Sequence, residues 1–273
     1  MKNIGFAICV VGCMWATQVR ADMAGQLLPP KADPGVAQKC EWQDVVTHGE
    51  YSAHNNVWGA RKGTDQPQDF VQCFSPPGGS DFINVDFAWN LVRPSEGVKS
   101  YPHVTYGWDW KGGYTTPKMP VRVDNIKRLM AYSEYYVDST TRHNVSYDIW
   151  MSKVQIPHKE TLTHEIMIWL DNVGMRQGMK LVDPNASIAG RAYHVHAGHV
   201  SPDTGPWVYV AFLPDHSFNK SWVDLGAFMQ YMVSTGMIDS DEYVNGISFG
   251  SEIPEGEGII RIRNFKVVTE TLR

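Results

Sequence analysis

From about residue 81 to the C-terminus, short runs of alternating apolar and polar residues recur, separated by clusters of Gly, Pro, Asn and Asp. A two-residue period is the signature of strands with one face in a core and the other outside it. Runs of this type lie at 81–89, 144–152, 163–170, 192–197, 207–213, 244–250 and 258–269, and punctuation such as Ser75-Pro76-Pro77-Gly78-Gly79 falls outside them. Many short strands with turn signals between them point to an all-β sandwich or jelly roll. One stretch departs from the pattern. Over 221–236 the apolar residues Trp222, Leu225, Phe228, Met229, Met232 and Val233 follow helical spacing. Ser221 with Asp224 resembles a capping box, and Gly236 suits a helix stop. The expectation is a two-sheet sandwich with one external α-helix.

The N-terminus reads as a processing signal over residues 1–21. Lys2 supplies a positive charge, residues 4–16 form a short apolar run, and Val19-Arg20-Ala21 offers a cleavage site before Asp22. Val10-Val11-Gly12-Cys13 is a competing lipoprotein-type box that would leave a lipid on Cys13. Residues 22–38, with Leu27-Leu28-Pro29-Pro30 and Asp33-Pro34-Gly35, read as an irregular arm. The remainder, 39–273, shows no linker or repeat and reads as one domain. Removal of the leader leaves Cys40 and Cys73, which an exported protein would most simply pair. A secreted or periplasmic monomer, with no membrane segment in its mature form, is expected.

The formal net charge of −5 gives no basic footprint for nucleic acid. Aromatics make up 12% of the chain, a supply that suits stacking on the C–H faces of sugars. In His164-Glu165-Ile166-Met167-Ile168-Trp169-Leu170, strand alternation puts Ile166, Ile168 and Leu170 on a core face and Glu165, Met167 and Trp169 on the other. That fits an acid in an aromatic-lined cleft, and equally an acid beside a structural Trp on a wet edge. The strand at 144–152 puts Asn144, Ser146, Asp148 and Trp150 on one face. Paired antiparallel with 163–170, it would bring Asp148 near Glu165, where two carboxyls share a proton. In 247–252, Ser248, Gly250 and Glu252 form the stripe opposite Ile247 and Phe249.

The segment His164 to Leu170 resembles the nucleophile strand of glycoside hydrolase family 12, the cellulase and xyloglucanase family. Further likenesses occur in order: Asn55-Asn56-Val57-Trp58-Gly59, Val98-Lys99-Ser100-Tyr101-Pro102 with Tyr106-Gly107-Trp108, Asn144 to Ile149, and Phe249-Gly250-Ser251-Glu252. Together they cover about residues 39–273. The resemblance implies a curved β-jelly roll whose concave sheet holds a β-1,4-glucan polysaccharide. It implies a retaining endo-β-1,4-glucanase with Glu165 as nucleophile, Glu252 as acid/base and Asp148 assisting. Asn56, Trp58, Asn144, Met167, Trp169, Tyr101 and Trp108 would bind substrate, and several members carry a disulfide at positions like Cys40 and Cys73. Ser251 stands where Thr is commoner, and Ile253 precedes Pro254 where many members have Pro directly.

Two other readings compete within sugar chemistry: a xyloglucan-specific endoglucanase and a non-catalytic carbohydrate-binding sandwich. A further motif, His194-x-His196-x-x-His199, suggests a metal strand, but no matching carboxylate or His motif follows it. Histidines ending a groove strand are the preferred reading. No metal and no cofactor are expected.

Overall fold

The computed structural model describes residues 38–62, 69–95, 97–110, 113–139, 141–200 and 205–272. The leader, Cys13 and all but the last residue of the arm lie outside them. Among the described residues, fifteen strands form two sheets. They are β1 (Val45–His48), β2 (Tyr51–His54), β3 (Phe70–Phe74), β4 (Ile83–Leu91), β5 (His103–Gly107), β6 (Val121–Arg122), β7 (Ile126–Asp138), β8 (His143–Ser152), β9 (Leu162–Val173), β10 (Lys180–Ile188), β11 (Arg191–His199), β12 (Val208–Pro214), β13 (Lys220–Asp224), β14 (Tyr243–Gly250) and β15 (Gly256–Thr271). The larger, ten-stranded sheet runs β1-β2-β5-β14-β8-β9-β12-β11-β10, with β6 attached to β14. The smaller, five-stranded sheet runs β13-β7-β15-β4-β3. The expected two-sheet sandwich is present.

Its core lies between the inward stripes of the two sheets. Tyr147, Ile149, Ile166, Ile168, Leu170, Ile247 and Phe249 from the larger sheet are fully buried, and they share one cluster with Phe87, Trp89, Leu129, Ile260, Ile262 and Phe265 from the smaller. Phe249 joins the layers, with ring centroids 5.1 Å from Tyr147, 5.4 Å from Phe265 and 5.7 Å from Tyr135. Truncating such a ring to Ala costs roughly 3–5 kcal/mol.

The sheets differ in width, so the inner face of β12, β11 and β10 needs other cover. Helix α2 (Leu225–Ser234) supplies it, burying Leu225, Gly226, Phe228, Met229 and Met232. The Phe228 ring lies 4.9 Å from Phe212 on β12 and 5.2 Å from Tyr193 on β11. Tyr231 donates its hydroxyl to Asp183 on β10 at 2.8 Å. This helix starts later than its periodicity predicts. Residues 220–224 instead pair with β7, and Asp224 caps α2 by accepting from the Ala227 N–H at 3.1 Å. Trp222 is an outward strand residue, 45% exposed, rather than part of the helix's apolar face. A free ladder partner on β7 outweighs a spacing that fits either period. A second, single-turn helix, α1 (Trp58–Lys62), was not predicted.

Cys40 and Cys73 form a disulfide across 33 residues, tying the segment before β1 to β3. Removing that closure by Cys40→Ser with Cys73→Ser is expected to cost about 3–4 kcal/mol on the loop-entropy scale. Urea unfolding of the oxidised wild type and the double variant measures it, and equal midpoints would remove the bridge from the stability account.

Candidate active site

The outward face of the ten-stranded sheet carries the chemistry, and strand register places each group. β8 pairs antiparallel with β9, so Trp150 sits opposite Glu165, Asp148 opposite Met167 and Ser146 opposite Trp169. β14 flanks β8 on the other side, with Ser248 opposite Asp148 and Gly250 opposite Ser146. Parallel pairing with β12 adds Tyr209 beside Glu165 and Ala211 beside Met167. Beyond β14, β5 contributes Thr105 and His103, and β2 contributes Ser52 and His54. Side chains opposite each other in a ladder share a face. The result is a floor of short polar residues between bulky ends.

The loops at one edge of this floor interlock. Asn56 offers its carbonyl to the Tyr101 N–H at 2.9 Å and to the Ser100 hydroxyl at 3.1 Å. Ser100 forms a bridge with Ile253, whose N–H reaches the Ser100 carbonyl at 2.9 Å. Three segments singled out in the sequence therefore meet at one place. Gly59 is required there, because a Cβ would lie 2.2 Å from the Val98 carbonyl oxygen. Trp58 begins α1 at this edge and is 39% exposed. Tyr101 is buried, donates its hydroxyl to the Ser146 carbonyl at 3.1 Å and stacks on His103 at 5.0 Å.

Glu252 lies just past β14 and is held by Asn144. The Asn144 amide N–H donates to Glu252 Oε2, the Asn144 side-chain carbonyl accepts from the Glu252 N–H at 3.1 Å, and the Ser251 hydroxyl donates to the Asn144 carbonyl at 2.6 Å. Asn144 is fully buried, with its amide engaged by this acid. Ile253, the residue that departs from the family pattern, is buried and locks Glu252 through the Ser100 bridge.

At the opposite edge stands a tryptophan wall. Trp108, Trp150, Trp207 and Leu162 form a buried cluster, and Trp110, 48% exposed, closes it from outside. The Trp207 indole N–H donates to Glu165 Oε2 at 2.7 Å, and the Trp150 indole N–H donates to Asp148 Oδ2 at 3.1 Å. Trp169 and Met167 are buried with Tyr101 and Ala211. The Tyr209 hydroxyl contacts the Met167 sulfur at 3.1 Å and accepts from Gln177 at 3.3 Å. Asp148 Oδ1 and Trp169 Nε1 are buried and make no hydrogen bond among the described residues.

The three carboxyls feel one another. Burial, then the charges of Glu165 and Glu252, push the Asp148 carboxyl well above the usual range, against the Trp150 bond. Burial also raises Glu165; the Trp207 bond opposes the rise and the Glu252 charge adds to it. Burial pushes Glu252 up to about 7, with the Asn144 bond working the other way. Such a group holds its proton near neutrality and can deliver it. Burial and the neighbouring His54 push His103 down to about 3, so that imidazole stays neutral in the floor.

Of the sequence-predicted acids, Glu165 and Asp148 lie on this sheet and Glu252 just past the end of its strand β14. Trp150, Trp207, Tyr209, His54 and His103 were not among the predicted site residues. Strand parity alone could have found Trp150, Tyr209 and Trp207, which heads the alternating run at 207–213 although the observed strand β12 starts at Val208. The three histidines do not converge on an ion. His194 faces Asp215 at 3.2 Å, His196 bonds the Met179 carbonyl at 2.9 Å, and His199 falls on the other parity of β11. Among the described residues, no group of three or more His, Cys, Asp or Glu side chains is placed to hold a metal.

Comparison with known proteins gives a consistent picture. The family described as Glycosyl hydrolase family 12 matches residues 49–270. Endoglucanase S of Pectobacterium parmentieri is 26% identical over 226 residues, which is 81% of this chain and 82% of the relative. The xyloglucan-specific endo-beta-1,4-glucanase A of Aspergillus aculeatus is 25% identical over 218 residues, 78% and 82% of the two chains. Among solved structures, the native family 12 xyloglucanase of Bacillus licheniformis aligns with a TM-score of 0.77 at 26% identity, over 86% of this chain and 100% of its own. Endoglucanase cel12A of Rhodothermus marinus aligns at 0.72 with the same identity and coverage.

A carboxyl raised by burial binds more protons folded than unfolded, so its contribution to stability is fully present below pH 4.5 and falls as pH rises toward 7. Glu252→Gln should therefore raise stability by on the order of 2 kcal/mol at pH 8 and leave it unchanged at pH 4. Denaturant titrations at both pH values test this; no gain at pH 8 would mean a wet, unstrained Glu252.

Proposed function

The chain belongs to glycosyl hydrolase family 12, and on that premise we propose a retaining double displacement with Glu165 as nucleophile and Glu252 as acid/base. The protein is an endo-β-1,4-glucanase and its substrate is a polysaccharide. The observation that carries the mechanism is the convergence of Glu165 and Asp148 on one face of the larger sheet with Glu252 just past the end of β14, where burial pushes Glu252 up to about 7.

In the first step a carboxylate oxygen of Glu165 bonds the anomeric carbon while Glu252 gives its proton to the departing glycosidic oxygen. In the second, Glu252 takes a proton from water, water oxygen bonds the same carbon, and Glu165 leaves as carboxylate. Asp148, protonated by burial and like charge, steadies Glu165 without adding a second negative charge. The Glu252 proton held up to about 7 suits the acid role, and the Asn144 amide fixes the direction of delivery.

The glucan would lie across the strands, from Trp58 over the Ser52, Thr105 and Ser248 floor toward Tyr209. Met167, Trp169, Tyr101 and Asn56 line or support its path, and Trp108 backs the tryptophan wall. Unsubstituted β-1,4-glucan is the preferred substrate in this reading. The xyloglucan-specific relatives support decorated glucan as a second reading. Export with removal of residues 1–21 fits the Cys40–Cys73 disulfide, which needs an oxidising compartment.

Glu165→Gln should abolish turnover with the fold intact, and Glu252→Gln should lower kcat by about 10²–10⁴-fold on unactivated glucan. Activity should fall as pH rises through about 7, as Glu252 loses its proton. Proton NMR of the first product should show the β-anomer. Wild-type rates in Glu165→Gln, or an initial α-product, would overturn the mechanism, and rates on cellulosic, mixed-linkage and xyloglucan substrates choose between the substrate readings.

A further inference from the structure

Trp207 immediately precedes β12, its ring is buried, and its N–H meets an acid. Trp108, Trp150 and Leu162 pack round it, with Trp150 edge-on at 5.1 Å and Trp110 at 6.0 Å. A ring held on several sides cannot turn its N–H away. Its partner atom is Glu165 Oε2, at 2.7 Å. An apolar ring would fill this space as well as an indole, so the feature needing explanation is the donor.

We propose that Trp207 is a positioning residue whose indole N–H holds Oε2 of Glu165 and leaves Oε1 as the attacking oxygen. The proposal rests on the reading of Glu165 as nucleophile. In the first step Oε1 forms the bond to the anomeric carbon, the glycosidic C–O bond breaks, and the leaving oxygen takes the Glu252 proton. Oε2 becomes the carbonyl oxygen of the ester and still accepts from the indole. In the second step negative charge returns to the carboxylate, and a bond from N–H to a charged oxygen is stronger than one to a neutral oxygen. The indole therefore orients the nucleophile in one step and assists its departure in the other. It also favours the ionised acid, opposing the rise that burial imposes.

Trp207→Phe keeps the ring and removes the donor. On soluble mixed-linkage β-glucan, kcat should fall about tenfold to a hundredfold, the range for a charge-assisted hydrogen bond. The acidic limb of kcat/KM should move to higher pH, because Glu165 loses a bond that favoured its charged form. A lower kcat with an unmoved limb would mean a packing role only and would overturn the proposal, as would wild-type values for both. Should the variant fail to fold, the wild-type protein supplies the test. The Trp207 indole proton resonance should titrate in wild type and lose that step in Glu165→Gln; a resonance indifferent to pH in wild type overturns the proposal. Turnover retained in Glu165→Gln would defeat the nucleophile assignment itself. An inactive Glu165→Gln alongside an unchanged Trp207→Phe would defeat only the role of the indole.

Discussion

A slip of one residue between β8 and β9 would turn Glu165 into the core and Ile166 out of it, so the site depends on the register of that pair. The register is fixed from both faces. Inward, Ile166, Ile168, Tyr147 and Ile149 share one core cluster with residues of the smaller sheet, and Phe249 on the adjoining β14 links Tyr147 to Phe265. Outward, the Trp150 and Trp207 indoles fasten Asp148 and Glu165. The apolar stripe and the acidic stripe are consequences of the same two-residue period. The core that stabilises the sandwich therefore also aims the carboxyls.

That aim opposes stability. Three carboxyls share one floor, Asp148 buried and Glu165 and Glu252 half-buried, and each is driven toward its neutral form by loss of water. An unpaired buried acid is costly, and hydrogen-bond donors reduce the penalty. Here the donors come from three directions: Trp207 for Glu165, Trp150 for Asp148 and Asn144 for Glu252. Each acid thus has its own donor and its own degree of compensation. Such differences in environment are what allow neighbouring carboxyls to titrate apart.

How much of this the sequence discloses follows from the range of each signal. Parity is local, and it placed Ile166, Ile168 and Leu170 inward with Glu165, Met167 and Trp169 outward, as the structure has them. β7 escaped notice although it pairs with both β13 and β15. Its outward residues include Tyr132 and Tyr136, so the polar half of the alternation is blurred. Residues 220–224 misled because Trp222 fits both a helical and a strand period, and only the presence of β7 decides. Asn144 falls on the site-facing parity, but its engagement with Glu252 spans 108 residues and leaves no local trace. Trp207 meets Glu165 from a segment 42 residues away, again beyond any window.

Gly250 shows how a correct local observation can carry an incomplete cause. Beside Ser248 and before Glu252, its smallness reads as room for a ligand. A Cβ there would lie 2.1 Å from the Pro102 carbonyl oxygen and 2.7 Å from the His103 Cβ, so the neighbouring chain already forbids one. The close approach of β5 to β14 is what the glycine permits. That approach carries Tyr101 over Ser146 and brings Ser100 to Ile253, the bridge that holds Glu252. Space above the floor comes instead from Ser52, Thr105, Ser146 and Ser248, whose side chains are short and buried, with Thr105 and Ser248 bonded to each other at 2.9 Å. The space above the floor and the position of the acid thus have separate origins, so floor side chains can change the first while the β5–β14 pairing keeps the second.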